Sequence, residues 1–185
     1  PSNNTAVQTT HIVPAFALDR VGEMDLRTND IVADPLDAGR LYASVSGSDP
    51  LFGNRVVVID AARGAITASE FAGSEPGRLA VSDDGQFLYV ALQGGGSVAR
   101  LQLPSLTPEL EFLVGMSAQH RPLHVQDMKV LPGHPHSVAI SRRNSDIGQN
   151  DEGIAIYDDG VARPNVAHPG SDSITFCGTP DTIFG

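Results

Sequence analysis

Four of the six histidines lie close together in the sequence, and histidine is a common zinc ligand. They are His120, His124, His134 and His136. A strand of about six residues between the two pairs would separate them by roughly 20 Å, at about 3.3 Å per residue. Zinc holds all its ligands within about 2 Å of one ion. We therefore expect the pairs at opposite ends of one strand, and the sequence predicts no zinc site.

A second cluster has the oxygen-rich spacing of a calcium loop. Asn144, Asp146, Gly148, Asn150 and Glu152 recur at every second position. An EF-hand has its glycine at the sixth position, its glutamate at the twelfth, and helices on either side. Here the glycine comes early and strands are expected to flank the loop. Two interpretations stay open: calcium bound by Asn144, Asp146, Asn150 and Glu152, or a solvated turn, which we favour.

The only adjacent arginine pair in this acidic chain suggests anion binding. Arg142 and Arg143 would present planar guanidinium groups, whose fork of N–H donors matches a carboxylate or a sulfate. The competing interpretation is that both arginines neutralise Asp146 and Asp151, which follow in the same loop. The sequence by itself favours this second interpretation.

These residues lie between short apolar strands that repeat along the chain. Strands that precede a turn contain Ile31, Leu79, Met128 and Ile174, which are 48, 49 and 46 residues apart. The turns that follow are rich in Gly, Pro and Asp, the residues that tight turns select. Four short strands in each unit of about 40–50 residues are typical of a propeller blade. A generic antiparallel sandwich is the alternative.

The repeat predicts an all-β fold, a β-propeller with three four-stranded blades and part of a fourth. Residues 1–27 are expected to be a lead-in or the end of a preceding element, and residues 28–185 a partial β-propeller. The expected blades are residues 28–75, 76–124 and 125–172, with the next blade starting at 173–185.

The turn and second strand of these units resemble the YVTN-type bacterial β-propeller repeat. Leu88-Tyr89-Val90 follows the Asp-Gly turn at residues 83–85, although Ala91-Leu92 stands where that family has Thr-Asn. The resemblance implies a ring of about seven blades in a bacterial extracellular or cell-surface protein, with no single activity attached. It also implies that the protein continues beyond these blades, so that remaining blades or self-association cover their open faces.

Two loops between second and third strands are longer than their counterpart at residues 93–96, and long loops on a rigid scaffold often carry binding residues. They cover residues 47–53 and 142–151, and in a four-stranded blade they emerge at the same end as the connection to the next blade. Solvated loops without a ligand are the alternative. The predicted ligand-binding residues are Asp49, Phe52, Asn54, His120, Arg121, His124, Arg142, Arg143, Asn144 and Asp146.

The composition excludes several classes of partner. A net charge of -10 and a pI near 4.8 disfavour nucleic acid and anionic membrane surfaces. No apolar stretch approaches the roughly 18 residues that span a bilayer, so we expect no direct membrane insertion. Cys177 is the only cysteine and is expected to be a small buried strand residue.

Two functions remain. The first is a non-catalytic module that binds a protein or a glycan at a cell surface and needs no cofactor. The second is a lactonase-like or other hydrolytic enzyme with a metal site in the propeller channel, which requires polar side chains on the inner strands. Because those strands read as mainly apolar around Leu79 and Met128, the sequence favours binding.

Overall fold

A computed structural model describes residues 24–144 and 151–185, which form strands and connections without a helix. The strands are β1 (Thr28–Ala33), β2 (Arg40–Val45), β3 (Arg55–Asp60), β4 (Ala65–Phe71), β5 (Pro76–Val81), β6 (Phe87–Leu92), β7 (Ser97–Gln102), β8 (Thr107–Leu113), β9 (His124–Leu131), β10 (His134–Arg143), β11 (Asp151–Asp158), β12 (Val161–Ala167), β13 (Thr175–Phe176) and β14 (Ile183–Phe184).

Each group of four consecutive strands forms one antiparallel sheet. Blade 1 is β1–β4, blade 2 is β5–β8 and blade 3 is β9–β12, and each pairs its strands in chain order. Strands β13 and β14 form a two-stranded sheet that begins the fourth unit. The first strands of the blades lie side by side, β1 against β5 and β5 against β9. This arrangement confirms the predicted partial β-propeller.

The repeated turns have a local explanation. In blade 2 the Ser82 hydroxyl accepts the N–H of Phe87 at 2.9 Å and donates to the carboxylate of Asp84 at 2.7 Å. Gly85 has a φ of 67°, a left-handed conformation that glycine adopts without steric cost. The sequence Ser-Asp-Asp-Gly therefore closes the turn between β5 and β6 through its own side chains.

The core lies between the blades. Because a central strand is covered by a blade on each side, it reads as a continuous apolar run, and all six residues of β6 are buried. The cluster between blades 1 and 2 is mainly aliphatic and includes Tyr42, Val56, Val58, Leu79, Leu88, Val90, Leu92, Ala99, Leu101 and Leu106. The cluster between blades 2 and 3 adds aromatic rings and includes Phe87, Tyr89, Val98, Phe112, Leu123, Val125, Met128, Val138, Ile140 and Tyr157.

Three local expectations were wrong. Arg142 and Arg143 belong to β10 and not to the following loop, because they continue the pairing with β9. His124 likewise starts β9 and is not part of the connection between blades. Cys177 is exposed just after the short strand β13.

The outer strand β12, which contains Pro164, is exposed along its whole length, as expected of an edge strand.

Residues near the expected lead-in contact blade 1. Met24 and Leu26 are partly buried against the blade 1 cluster formed by Ala43, Val45, Val57 and Ile59. The described part of the chain contains no helix long and apolar enough to cross a membrane.

Candidate functional site

The connections at residues 46–54, 93–96 and 114–123 emerge at one end of the blades, which we call the loop end. The tight turns at residues 34–39 and 82–86 lie at the other, which we call the turn end. The first strands of the blades run from the loop end to the turn end.

The three candidate residues of the blade 1 loop shape the loop itself. Asp49 accepts the N–H groups of Leu51 and Phe52 at 2.9 and 2.8 Å. The bond from the Phe52 N–H, then that from Leu51, lowers the pKa of the Asp49 carboxyl. Asn54 has a φ of 63° and accepts the N–H of Glu75 at 2.9 Å. Phe52 packs, partly buried, against the blade 1 core. Their contacts account for these residues without a ligand.

The candidate residues around the blade 2 connection are mostly exposed. His120 has a φ of 60° and donates its N–H to the Ser117 carbonyl at 2.9 Å, and Arg121 follows it on the surface. His124 is half-buried and is the cross-strand neighbour of Arg143. The loop end thus brings His124 and Arg143 together.

The histidine pairs lie at opposite ends of blade 3, as predicted. His124 begins β9, whereas His134 pairs with Leu131 where β9 ends. His136 contacts Asp159 at the turn end, with 3.0 Å between Nδ1 and the carboxylate. Within residues 24–144 and 151–185, no three or more His, Cys, Asp or Glu side chains are grouped so that they could hold a metal ion.

The calcium candidates can be placed only in part. Asp146 and Asn150 lie outside the described residues. Asn144 donates from its amide nitrogen to the Glu152 carboxylate at 2.7 Å. This bond ties the end of β10 to the start of β11, and the calcium interpretation stays a prediction.

The two adjacent arginines have different surroundings. Arg142 is partly buried and donates from Nη2 to the Glu152 carbonyl at 2.7 Å, and its buried Nε has no hydrogen-bond partner among the described residues. Arg143 is exposed and makes no side-chain hydrogen bond or ion pair with any described residue. Asp151, one of the two predicted neutralising partners, accepts the N–H groups of Gly153 and Gly170 at 2.7 and 2.6 Å, and the charge of Arg142 is a smaller cause of its lowered pKa. The Gly153 bond is the main cause of the lowered pKa of Asp151.

Two adjoining cavities at the loop end share Gln126 and Arg143, and together we call them the inner groove. The first has a volume of about 320 Å³ and spans blades 1 to 3; it is lined by Asn29, Glu75, Gly77, Arg78, Gln93, Val125, Gln126 and Arg143. The second has a volume of about 540 Å³ and continues along blade 3; it is lined by Gln126, Ser141, Arg142, Arg143, Asp151, Gly170, Ser171 and Asp172.

Side-chain amides are fixed along the wall of the inner groove. Asn29 donates to the Pro76 carbonyl at 2.8 Å, and Gln93 to the Val125 carbonyl at 2.9 Å. Gln126 donates to the Asp172 carboxylate at 3.1 Å. Because these bonds join one blade to the next, the polar wall is held by the propeller itself.

The inner strands, which the sequence predicted to be mainly apolar, also carry polar residues with defined partners. Asp30 accepts the N–H of Leu79 at 2.9 Å, and Asp127 accepts the N–H of Ile174 at 2.8 Å. The residue at the same repeat position in blade 2 is Arg78. Each stands directly before the repeated apolar residue, and this polar residue at a fixed spacing was the signal that could have revealed them.

No family model matches the chain, and no curated protein matches it. Three solved structures similar to it are hydrazine synthase from Kuenenia stuttgartiensis, the dihydro-heme d1 dehydrogenase NirN in complex with DHE, and the WD40 repeats of RRP9. Their TM-scores are 0.62, 0.62 and 0.57, with identities of 19%, 16% and 13%. The matches cover 92%, 84% and 77% of this chain but only 42%, 31% and 39% of those chains. These similarities support the propeller fold, and a fold of this kind selects no activity.

Proposed function

We propose that the chain is part of a non-catalytic β-propeller module that binds a protein segment at its loop end. The observation that carries this proposal is the inner groove, a continuous polar depression in which the exposed Arg143 side chain makes no hydrogen bond or ion pair with a described residue. A groove with fixed side-chain amides and a guanidinium that no described residue engages is suited to hold a polar ligand without further rearrangement.

The inner strands support binding over hydrolysis. A channel enzyme needs acid or base groups that are free to meet a substrate. Asp30 and Asp127 are instead engaged with backbone N–H groups of the next blade, and Lys129 lies 3.2 Å from the Asp127 carboxylate. These contacts give both carboxylates a structural role.

The cell location in this proposal is that of a bacterial extracellular or cell-surface protein, and it rests on the YVTN-like turn and strand at residues 83–90. We also propose that remaining propeller blades, or self-association, cover the outer face of blade 3. On that face Ile154 and Ile156 are only partly buried beside the two-stranded unit β13–β14. Exposed apolar faces of this kind favour association.

The binding proposal is tested by capture of the partner from the source cells with three proteins: wild type, Arg143→Ser and His134→Ser. Both substituted residues are exposed and they end the same strand, Arg143 at the loop end and His134 at the turn end. We expect wild type and His134→Ser to retain the same protein and Arg143→Ser to lose it. Equal retention by all three would overturn a site at the loop end.

Location is tested separately, by protease treatment of intact source cells. Cleavage of the protein while cytoplasmic markers stay whole supports a surface location. Full protection in intact cells, followed by cleavage after lysis, would contradict it.

A further inference from the structure

The charged groups of the inner groove are unequally engaged. Its carboxylates already accept hydrogen bonds: Asp151 from Gly153 and Gly170, Asp172 from Gln126, and Glu75 from the N–H of Gly47 at 3.3 Å. The negative groups of the groove therefore have local partners.

The two exposed arginines of the inner groove, Arg78 and Arg143, have no carboxylate partner among the described residues. Arg78 uses only its Nε, which donates to the Gln126 carbonyl at 3.3 Å, and it forms no ion pair with a described residue. Arg143 makes no side-chain bond within the same set. Both line the first cavity, one from blade 2 and one from blade 3. The first cavity thus presents two exposed guanidinium groups that form no ion pair with a described residue.

We propose that Arg78 and Arg143 together bind the carboxylates of an acidic, extended polypeptide segment. This inference rests on the proposed binding function and names the chemistry of its ligand. Guanidinium groups form paired, charge-assisted hydrogen bonds with carboxylates, which are stronger than neutral ones. The carboxylate side chains of such a segment would supply acceptors to these two guanidinium groups.

The form of the groove favours a polypeptide. Its wall carries the amides of Asn29, Gln93 and Gln126, and an amide presents both a donor and an acceptor, as a peptide backbone does. The two cavities adjoin at Gln126 and Arg143, so an extended chain can follow them from blade 1 to blade 4.

The charge of the whole chain makes a simple probe informative. With its net charge of -10, the protein repels an acidic peptide over distances of about a Debye length, roughly 10 Å at 0.1 M salt. Non-specific attraction is therefore absent, and binding of such a peptide requires a local positive site.

The test is a fluorescence anisotropy titration of labelled decaglutamate with wild type and with the double variant Arg78→Ser/Arg143→Ser. The matched control is Arg63→Ser/Arg163→Ser, which removes the same charge from two arginines that pair with Asp60 and Asp158 near the turn end. We expect the groove variant to bind at least about tenfold more weakly, since one charge-assisted bond is worth that factor. The control should stay within about twofold of wild type, because exposed ion pairs contribute little.

Three results would overturn the proposal: no binding of decaglutamate by wild type, equal weakening in both double variants, or equal binding of decaglutamine. Tighter binding of a chondroitin sulfate hexasaccharide than of decaglutamate would contradict a polypeptide ligand and indicate a glycan. Partner capture and this titration can fail separately. A partner held through Arg143 while decaglutamate does not bind leaves the binding function standing and removes the acidic ligand.

Discussion

The junction between blades 1 and 2 differs from the junction between blades 2 and 3 in the polar contacts that join the neighbouring blades. In the first, Asp30 on the inner strand accepts the N–H of Leu79, and Ser44 donates to the Gly77 carbonyl at 2.7 Å. The junction from blade 3 to the fourth unit repeats this pair, since Asp127 and Ser141 make the equivalent bonds to Ile174 and to the Ser171 carbonyl.

The junction between blades 2 and 3 has no aspartate at this position and adds polar contacts farther from the inner strand. Arg100 on β7 is 4% exposed and reaches Asp159 of blade 3 at 2.8 Å and Glu109 at 2.9 Å. Its guanidinium lies 4.9 Å from the Phe87 ring centroid and donates to the Tyr89 hydroxyl. The Tyr89 hydroxyl in turn donates to a carbonyl of blade 3.

The repeat position directly before the apolar residue differs between these junctions. Asp30 and Asp127 accept a backbone N–H of the following unit. Arg78 at the same position is exposed, donates to the Gln126 carbonyl of blade 3 and lines the first cavity of the inner groove.

The largest expected effect is at the second junction. Arg100→Ala should lower the free energy of unfolding by about 2–3 kcal/mol, because it removes packing on two rings and leaves the buried Tyr89 hydroxyl with one partner fewer. Arg100→Met should cost less, since an apolar side chain of similar length keeps the packing. Urea unfolding of both variants measures the difference. An unchanged midpoint for Arg100→Ala would show that this junction does not depend on the arginine.

The next largest effect on stability is expected at the repeat position that holds Asp30 in blade 1 and Arg78 in blade 2. Asp30→Ala should cost about 1–3 kcal/mol, the range for a buried N–H left without an acceptor, here that of Leu79. Arg78→Ala at the same repeat position should change stability by less than about 0.5 kcal/mol, because its side chain is exposed. Similar losses for both variants in urea unfolding would show that the aspartate contributes no more to stability at this position than the arginine does.

The pH dependence should distinguish the junctions more finely. The hydrogen bond from Arg100 is the main cause that holds the pKa of Asp159 below its ordinary value. A lowered pKa in the folded state stabilises the protein above the unfolded value of about 3.9, and this contribution is lost as pH falls below it. The stability difference between wild type and Arg100→Met should therefore shrink between about pH 5 and pH 2. The change should be modest because Asp159 is exposed. A difference that is constant with pH would contradict the coupling.

The smallest effect is expected at the groove wall. Gln93→Ala removes the bond to the Val125 carbonyl, and this half-buried side chain should contribute no more than about 0.5 kcal/mol. Thermal unfolding checks this value. A loss above that of Asp30→Ala would mean that the amides, and not the aspartates, hold the inner strands together.

The sequence by itself determined the architecture. The apolar residues Ile31, Leu79, Met128 and Ile174 recur at nearly constant spacing, and Gly-Pro-Asp turns follow them, so local pattern is enough to place four strands in each unit. Strands such as Arg55–Asp60 and Val161–Ala167 have the bounds that the alternation predicts.

Only the tertiary structure decided which polar residues are free. Arg142 and Arg143 are neighbours in sequence and both line the second cavity, but Arg142 is partly buried and bonds to the Glu152 carbonyl, whereas Arg143 is exposed and also lines the first cavity. Arg78 lies 65 residues before Arg143 in the chain, yet packing of blade 2 against blade 3 places both on one cavity. Such proximity depends on contacts between repeats, and the pattern within one repeat does not encode it.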